Sequence, residues 1–412
     1  MFQLARSNQY RFLLRVLACV LPLAPTAQAA MDDPQDVIAA HFPEMGELRR
    51  ALMPEIKALE ARLDQVETRG ADTSCLRQAL SEMRWRLAST GDADAARAAM
   101  QRLRDWAAMP VQPSAHMQDT EGSFGICTEP WFLKLDASAD PFLLTVPDPG
   151  LQRPSFLDRV NDPERLLGYL RSLVVSRLAV DGIDRRKELN FATADLLRLI
   201  IRNRPPNYTW APGTDAAVRA FIAEWQDPTT GFFGATYEVE GRRYTTTDLS
   251  FTFHMASYLD GKIGHWQGIT ETLLRIRDDQ YPNGWLDPEG MTSHNNYDVV
   301  TLFRFAWPEM RPEQRTRAAA EIQRLADWCL TTAIAPDGTV VARAAGESLP
   351  ESYYFTLAFL DVIGYFDAKR RFWTDRDFPE VDAMTAKLKA HVLALDQKDP
   401  MTRWALERFP QK

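Results

Sequence analysis

The chain has 412 residues, 45% hydrophobic and 25% charged, with a formal charge of −8. That is ordinary globular composition with ample core material. An acidic balance without a basic run argues against nucleic acid as a partner, and the absence of Cys-x-x-Cys or His-x-x-x-His pairs argues against a structural zinc site, so no metal and no cofactor is expected.

Residues 1–30 read as an export signal. Arg6, Arg11 and Arg15 precede or interrupt an apolar stretch from Phe12 to Leu23, and Ala27-Gln28-Ala29 supplies a small-x-small cleavage site. Cys19 offers a lipoprotein alternative, against which stand the bulky Leu17 and the apolar run continuing past it. The run is too short to span a bilayer as a mature helix. Removing it takes three arginines and leaves a formal charge of −11. The mature chain is therefore expected to be periplasmic or secreted, with no membrane association. Cys75, Cys127 and Cys329 remain; one disulfide plus one thiol is allowed, and spacing does not fix the pairing.

Residues 31–110 predict a helical extension. Leu48, Leu52, Ile56, Leu59, Leu63 and Val66 form one stripe, Gly70 breaks it, and Leu76, Leu80, Met83 and Leu87 resume it, an antiparallel hairpin followed by a third helix from Asp92 to Met109. Packing is the plain role of this hairpin; a protein partner is the minority one. In 111–160, prolines 113, 130, 141, 147, 149 and 154 deny long helices and predict a connecting segment that wraps the surface.

Residues 161–412 carry a repeat. Glycine-centred turns fall at Gly182, Gly231, Gly284 and Gly338, at intervals of 49, 53 and 54 residues, long enough for two helices and two loops. Asp162-Pro163 is a helix start. Helices then alternate: Asp215–Trp225 with Ser250–Leu259, His265–Arg277 with Asn296–Trp307, and Pro312–Leu330 with Ser352–Phe366. The first of each pair is amphipathic and the second apolar on all sides, as outer and inner helices would be. A last helix, Val381–Leu395, has no evident partner after it.

This order of outer helix, Asp-Pro/Asn-x-Gly-aromatic turn and polar-headed inner helix resembles the α/α-toroid superfamily, which includes polysaccharide lyases, glycoside hydrolases, terpenoid cyclases and prenyltransferases. The resemblance covers about residues 160–400 and implies an all-α fold, a complete or incomplete α/α toroid. It lacks the Asp-x-Asp-Asp of squalene-type cyclases and the zinc set of prenyltransferases. Exported toroids are mostly carbohydrate-active, so the resemblance implies a polysaccharide or oligosaccharide substrate.

The candidate chemistry sits where inner helices begin. His294-Asn295-Asn296-Tyr297-Asp298 places five hydrogen-bonding side chains before an apolar run. His294 and Asp298 share a helical face, so the carboxylate would orient the imidazole; N-capping is the plain alternative. The cluster loosely resembles the Asn-Asn-His-x-Tyr segment of all-helical alginate lyases, in a different order. Cleaving a uronate polymer by β-elimination needs amide donors such as Asn295 or Asn296 to stabilise the enolate. It also needs His294 or His254 as base, and Tyr353 or Tyr297 as proton donor. Asp248 reads equally as an N-cap, and His254 equally as hydrogen-bonded core. Asn190, Tyr354 and Arg185, the latter beside Arg186, are further substrate-binding candidates, and Trp285 offers a flat platform for a sugar ring. Two other readings stay open. Asp248, Asp298 and Glu351 supply carboxylates for an inverting glycoside hydrolase, which the acidic charge favours. A non-catalytic glycan-binding or assembly scaffold would keep Trp285 and the amides without a matched acid and base.

Overall fold

The computed structural model of the protein describes residues 33–67, 73–109, 117–144, 150–202, 205, 207–344, 347–397 and 399–410. The export-signal reading of residues 1–30, with Cys19, lies outside them, as do Gly70 and Pro110, Pro113, Pro147 and Pro149. The described residues are predominantly helical, sixteen α-helices with one small three-stranded sheet. None of these helices is long and apolar enough to cross a membrane.

Helices α1 (Pro34–His41), α2 (Pro43–Glu67), α3 (Ser74–Ser89) and α4 (Ala93–Ala108) come first. The heptad-like stripe closes an apolar seam in which Ile56, Leu63, Leu80, Met83 and Leu87 are buried with Met100 and Leu103. Glu82 on α3 is only 2% exposed. One of its carboxylate oxygens accepts from Arg86 (2.8 Å) and Arg102 (2.9 Å), the other from the Thr128 hydroxyl (3.1 Å) and the Glu129 amide (2.9 Å). A carboxylate survives burial only when paired and hydrogen-bonded in this way. Glu82 thus pins the hairpin to the segment after it. The Cys75–Cys127 disulfide does the same covalently across 52 residues, while Cys329 is a free, buried thiol.

The proline-rich segment does not simply wrap the surface. Within it lies α5 (Trp131–Leu144), which buries Phe132, Leu133, Leu135, Ala139 and Phe142. Pro130 stands just before the helix, where a missing N–H costs nothing, and Pro141 falls in its last turn.

The repeat region follows as α6 (Pro163–Leu173), β1 (Val175–Ser176), α7 (Leu178–Asp181), α8 (Arg186–Leu197), α9 (Thr214–Trp225), β2 (Thr236–Val239), β3 (Arg242–Thr245) and α10 (Leu249–Tyr258). It continues with α11 (Trp266–Arg275), α12 (Ser293–Ala306), α13 (Pro312–Trp328), α14 (Leu349–Val362), α15 (Val381–Leu393) and α16 (Pro400–Glu407). Asp162 caps α6 by accepting from the Arg165 amide (2.9 Å), with Pro163 at its first position. Three of the repeat glycines, Gly182, Gly231 and Gly338, have φ of 66°, 72° and 92°. The fourth, Gly284, is fixed by close approach, since a Cβ there would meet the Asp279 carbonyl oxygen at 2.3 Å.

Helices α5, α8, α10, α12, α14 and α16 pack successively against one another, and α6, α9, α11 and α13 lie along the flank of this row. The last helix of the sequence reading does have a successor. Asp399 caps α16 with Pro400 behind it, and α16 packs on α14 and α15. The sheet was not foreseen either: β2 and β3 form a hairpin through Glu240 and Gly241 (φ 50° and 77°), and β1 adds in parallel at Val175–Thr236.

Replacing both Cys75 and Cys127 by alanine is expected to lower stability by about 2–4 kcal/mol, because the unfolded chain regains the freedom of a closed loop. Urea unfolding measures this, and an unchanged midpoint would contradict the role given to the disulfide.

Candidate functional site

The beginnings of α8 and α10 are joined by a buried ion pair. Asp248 is fully buried; one oxygen caps α10 by accepting from the Phe251 amide (3.0 Å), and the other accepts from Arg186 Nε (2.6 Å). The Arg186 guanidinium also lies over the Phe251 ring, 5.3 Å from its centre. Its backbone N–H is received by Asp184, whose carboxylate accepts the Tyr237 hydroxyl as well (3.2 Å). Arg185, by contrast, turns back to Asp181 (2.7 Å) and the Ile183 carbonyl. Of the basic pair, Arg186 is the one facing α10.

One turn further along, Asn190 reaches α10. Its amide nitrogen donates to Ser250 Oγ (3.1 Å), so its oxygen accepts from His254 Nδ1–H (3.0 Å). The imidazole is thereby held in the tautomer that leaves the Nε2 lone pair free. Ser250 also stands near the Tyr281 phenol. His254 stacks on Tyr258 (5.4 Å, 7°), and His294 on α12 stacks on Phe355 of α14 (3.7 Å, 8°), with Tyr281 6.3 Å away. Tyr297 lies 5.3 Å from Phe253 and 6.5 Å from Tyr354, whose hydroxyl accepts from Arg408 (3.0 Å). A continuous polar and aromatic surface therefore runs from α8 across α10 and α12 to α14 and α16.

The His294 side chain is 31% exposed and His254, Tyr281 and Tyr297 are half-buried, yet each is densely surrounded by protein. Loss of hydration opposes the imidazolium, lowering His254 to about 3, with the neighbouring His294 adding to the effect, and His294 to about 4. Burial also pushes the Tyr258, Tyr281 and Tyr297 phenols upward. At neutral pH the surface holds neutral proton acceptors beside un-ionised phenols.

Sequence reasoning missed Glu347. It stands in the loop before the α14 capping box, outside any periodic pattern, and only the fold brings it to His294. Its Oε1 lies 4.0 Å from His294 Nδ1 with no hydrogen-bond partner, and Oε2 accepts from the Ala344 amide (3.1 Å) and Ser352 (3.0 Å). Burial pushes its carboxyl up to about 7 against the Ala344 hydrogen bond. With Arg343, Glu289, Met291 and Thr292 it lines a cleft of about 370 Å³.

Several expected residues lie elsewhere. The carboxylate beside the His294 ring is Glu347 rather than Asp298, which is 1% exposed, faces Tyr281 electrostatically and is pushed well up by burial. Asn295 donates to the Trp285 carbonyl (3.0 Å), tying α12 to the glycine turn, and Asn296 is fully buried with neither amide atom partnered. Trp285 is 1% exposed and packs edge-on against Phe303, so it presents no face to a sugar. Glu351 completes the capping box with Ser348. Tyr353 and Tyr354 point apart: Tyr353 accepts from the Val340 amide (3.4 Å) and stacks near His391, away from the row. Among the described residues no cluster of His, Cys, Asp or Glu is placed to hold a metal ion. Comparison with protein-family models, curated proteins and solved structures returns no match for the chain.

Two outcomes follow. Arg186→Met alone strands the Asp248 carboxylate and is expected to destabilise by about 3–5 kcal/mol, while adding Asp248→Asn, which keeps the cap, recovers most of that loss in chemical unfolding. In histidine-resolved NMR, His254 and His294 should stay neutral from pH 8 down to pH 5, the unfolded value being about 6.5. The unfolded chain takes up those two protons as pH falls through that window, so the pair lowers stability towards acid. A midpoint near 6.5 for either ring contradicts the burial argument.

Proposed function

We propose that the protein is an exported carbohydrate-active enzyme, that the row α5, α8, α10, α12, α14 and α16 is the inner tier of an α/α toroid, and that its polar surface cleaves a uronate polysaccharide by β-elimination. The observation that carries the reading is the Asn190–His254 pair. It fixes a neutral imidazole with a free Nε2 at a half-buried position, near un-ionised phenols. In this reading His254 Nε2 takes the proton from C5 of the uronate. The electron pair left behind forms the C4–C5 double bond as the C4–oxygen bond breaks, and the departing oxygen takes a proton from the Tyr281 phenol. Glu347, protonated near neutrality, and Arg343 at the rim of its cleft would hold the uronate carboxylate and neutralise it, making the C5 proton acidic. That role passes to them because Asn295 and Asn296 are committed to the interior.

The carboxylates first available for an inverting hydrolase are tied up differently: Asp248 by Arg186, Asp298 by burial and Glu351 by its capping box. Glu347 alone favours the hydrolytic reading, as a carboxyl protonated near pH 7. Export is supported by the amino-terminal pattern of Arg6 to Ala29 and by the Cys75–Cys127 disulfide, a bond that persists in oxidising compartments.

Incubation with uronate polymers should raise ultraviolet absorbance in the unsaturated-sugar band. His254→Ala should reduce the rate at least about 100-fold, with the fold retained by circular dichroism. Reducing ends without that absorbance would mean hydrolysis, and binding with neither signal would mean a scaffold.

A further inference from the structure

Asn190 decides which ring nitrogen of His254 carries the hydrogen, and Glu347 stands in the corresponding place beside His294. The His294 ring lies flat against Phe355, at 3.7 Å and 8°, so its plane is fixed. Its Nδ1 is 4.0 Å from Glu347 Oε1, and a closure of about 1 Å completes a hydrogen bond. The carboxyl is anchored through its other oxygen, which accepts from the Ala344 amide (3.1 Å) and Ser352 Oγ (3.0 Å). The Glu347 side chain is only 6% exposed, and Oε1 is buried with no hydrogen-bond partner. A buried oxygen of this kind normally has one, and His294 Nδ1 is the ring nitrogen beside it. The two imidazoles differ in what faces them. The Asn190 oxygen can only accept, whereas a carboxyl donates when protonated and accepts when ionised.

We propose that Glu347 sets the tautomer of His294 and reverses it with pH. Protonated, Glu347 donates to Nδ1 and the ring hydrogen stays on Nε2; ionised, it accepts from Nδ1–H and the Nε2 lone pair is free. Raising the pH removes one proton from the pair overall. The Glu347 proton passes to Nδ1, the one on Nε2 leaves to solvent, and the ring is neutral in both forms. Lost hydration pushes Glu347 up to about 7 and holds His294 down at about 4, so the carboxyl rather than the imidazole supplies the titrating proton. Around the pair, Glu351 of α14 raises Glu347 and Arg343 of the same loop lowers it. Glu289 lines the cleft from the α11–α12 loop, Asp298 stands one turn along α12, and the Tyr281 ring centre is 6.3 Å from that of His294. His254 of α10 interacts electrostatically with His294, but it stays neutral near pH 7 and the Tyr281 phenol stays protonated, so neither drives the change. The consequence for catalysis, unlike the tautomer itself, rests on the elimination reading. Below the change His254 Nε2 is an acceptor and His294 Nε2–H is a donor that carries the influence of Glu347 to a uronate carboxylate. Above it both imidazoles are acceptors, that donor is lost and elimination slows.

Nitrogen-15 NMR of the full-length mature protein with labelled histidine tests the switch, because protonated and bare ring nitrogens resonate far apart. Between about pH 5.5 and about pH 9, His294 should exchange Nε2–H for Nδ1–H with a midpoint of about 7 and no gain of charge. His254, held by an amide that does not titrate, should keep Nδ1–H throughout. Glu347→Gln should abolish the exchange at His294, which separates Glu347 from the nearby Glu351. One tautomer of His294 at every pH, or an exchange that survives Glu347→Gln, overturns the proposal. The unsubstituted protein decides alone if the variant does not fold, since a ring that keeps one tautomer already contradicts the switch. An exchange in a protein that yields no unsaturated product would remove the elimination reading and leave the switch; elimination without the exchange would do the reverse.

Discussion

The structure depends on pairing opposite charges in the interior where α8 and α10 begin. The Arg186–Asp248 pair is the central case: it spans the starts of α8 and α10, and one carboxylate both caps a helix and neutralises a guanidinium. With those two helices locked at their tips, Asn190 comes opposite Ser250 and His254. The sheet is bound in as well, since Asp184 receives both the Arg186 amide and the Tyr237 hydroxyl. An ion pair of this kind adds little to stability compared with an apolar substitute of equal volume. What it provides is a fixed register between two helices, on which the position of the imidazole depends.

Much of the scaffold was legible in the sequence because its signals are local. Apolar spacing of three and four marked α2 and α3, Asp-Pro starts marked α6, and the glycine turns marked the spacing of the repeat. The failures share a cause: they concern contacts between segments distant in sequence. The Tyr353–Tyr354 pair could not be divided by spacing, because which phenol faces the row depends on the rotation of α14. Asn295 read as a free amide, yet the glycine turn folds back and offers it the Trp285 carbonyl. Glu347 gave no pattern at all, since a carboxylate in a loop usually faces water. α5 was hidden by prolines that stand before it and in its last turn, where they are tolerated.

The electrostatics of the polar and aromatic surface follow from one imbalance. Enclosure raises the cost of every charge, so imidazoles stay neutral, phenols stay protonated and carboxyls are pushed towards protonation unless a cation sits beside them. Such a surface suits proton transfer more than tight anion binding, because acceptors and donors coexist there without neutralising one another.

The most direct test is a crystal structure of the His254→Ala variant with a bound uronate-containing oligosaccharide. A sugar is expected to lie across α8, α10, α12 and α14, with its C5 within about 3.5 Å of the space left by the imidazole and its carboxylate towards Glu347. A saccharide bound elsewhere on the protein, with Asn190, Tyr281 and Glu347 untouched, would contradict it.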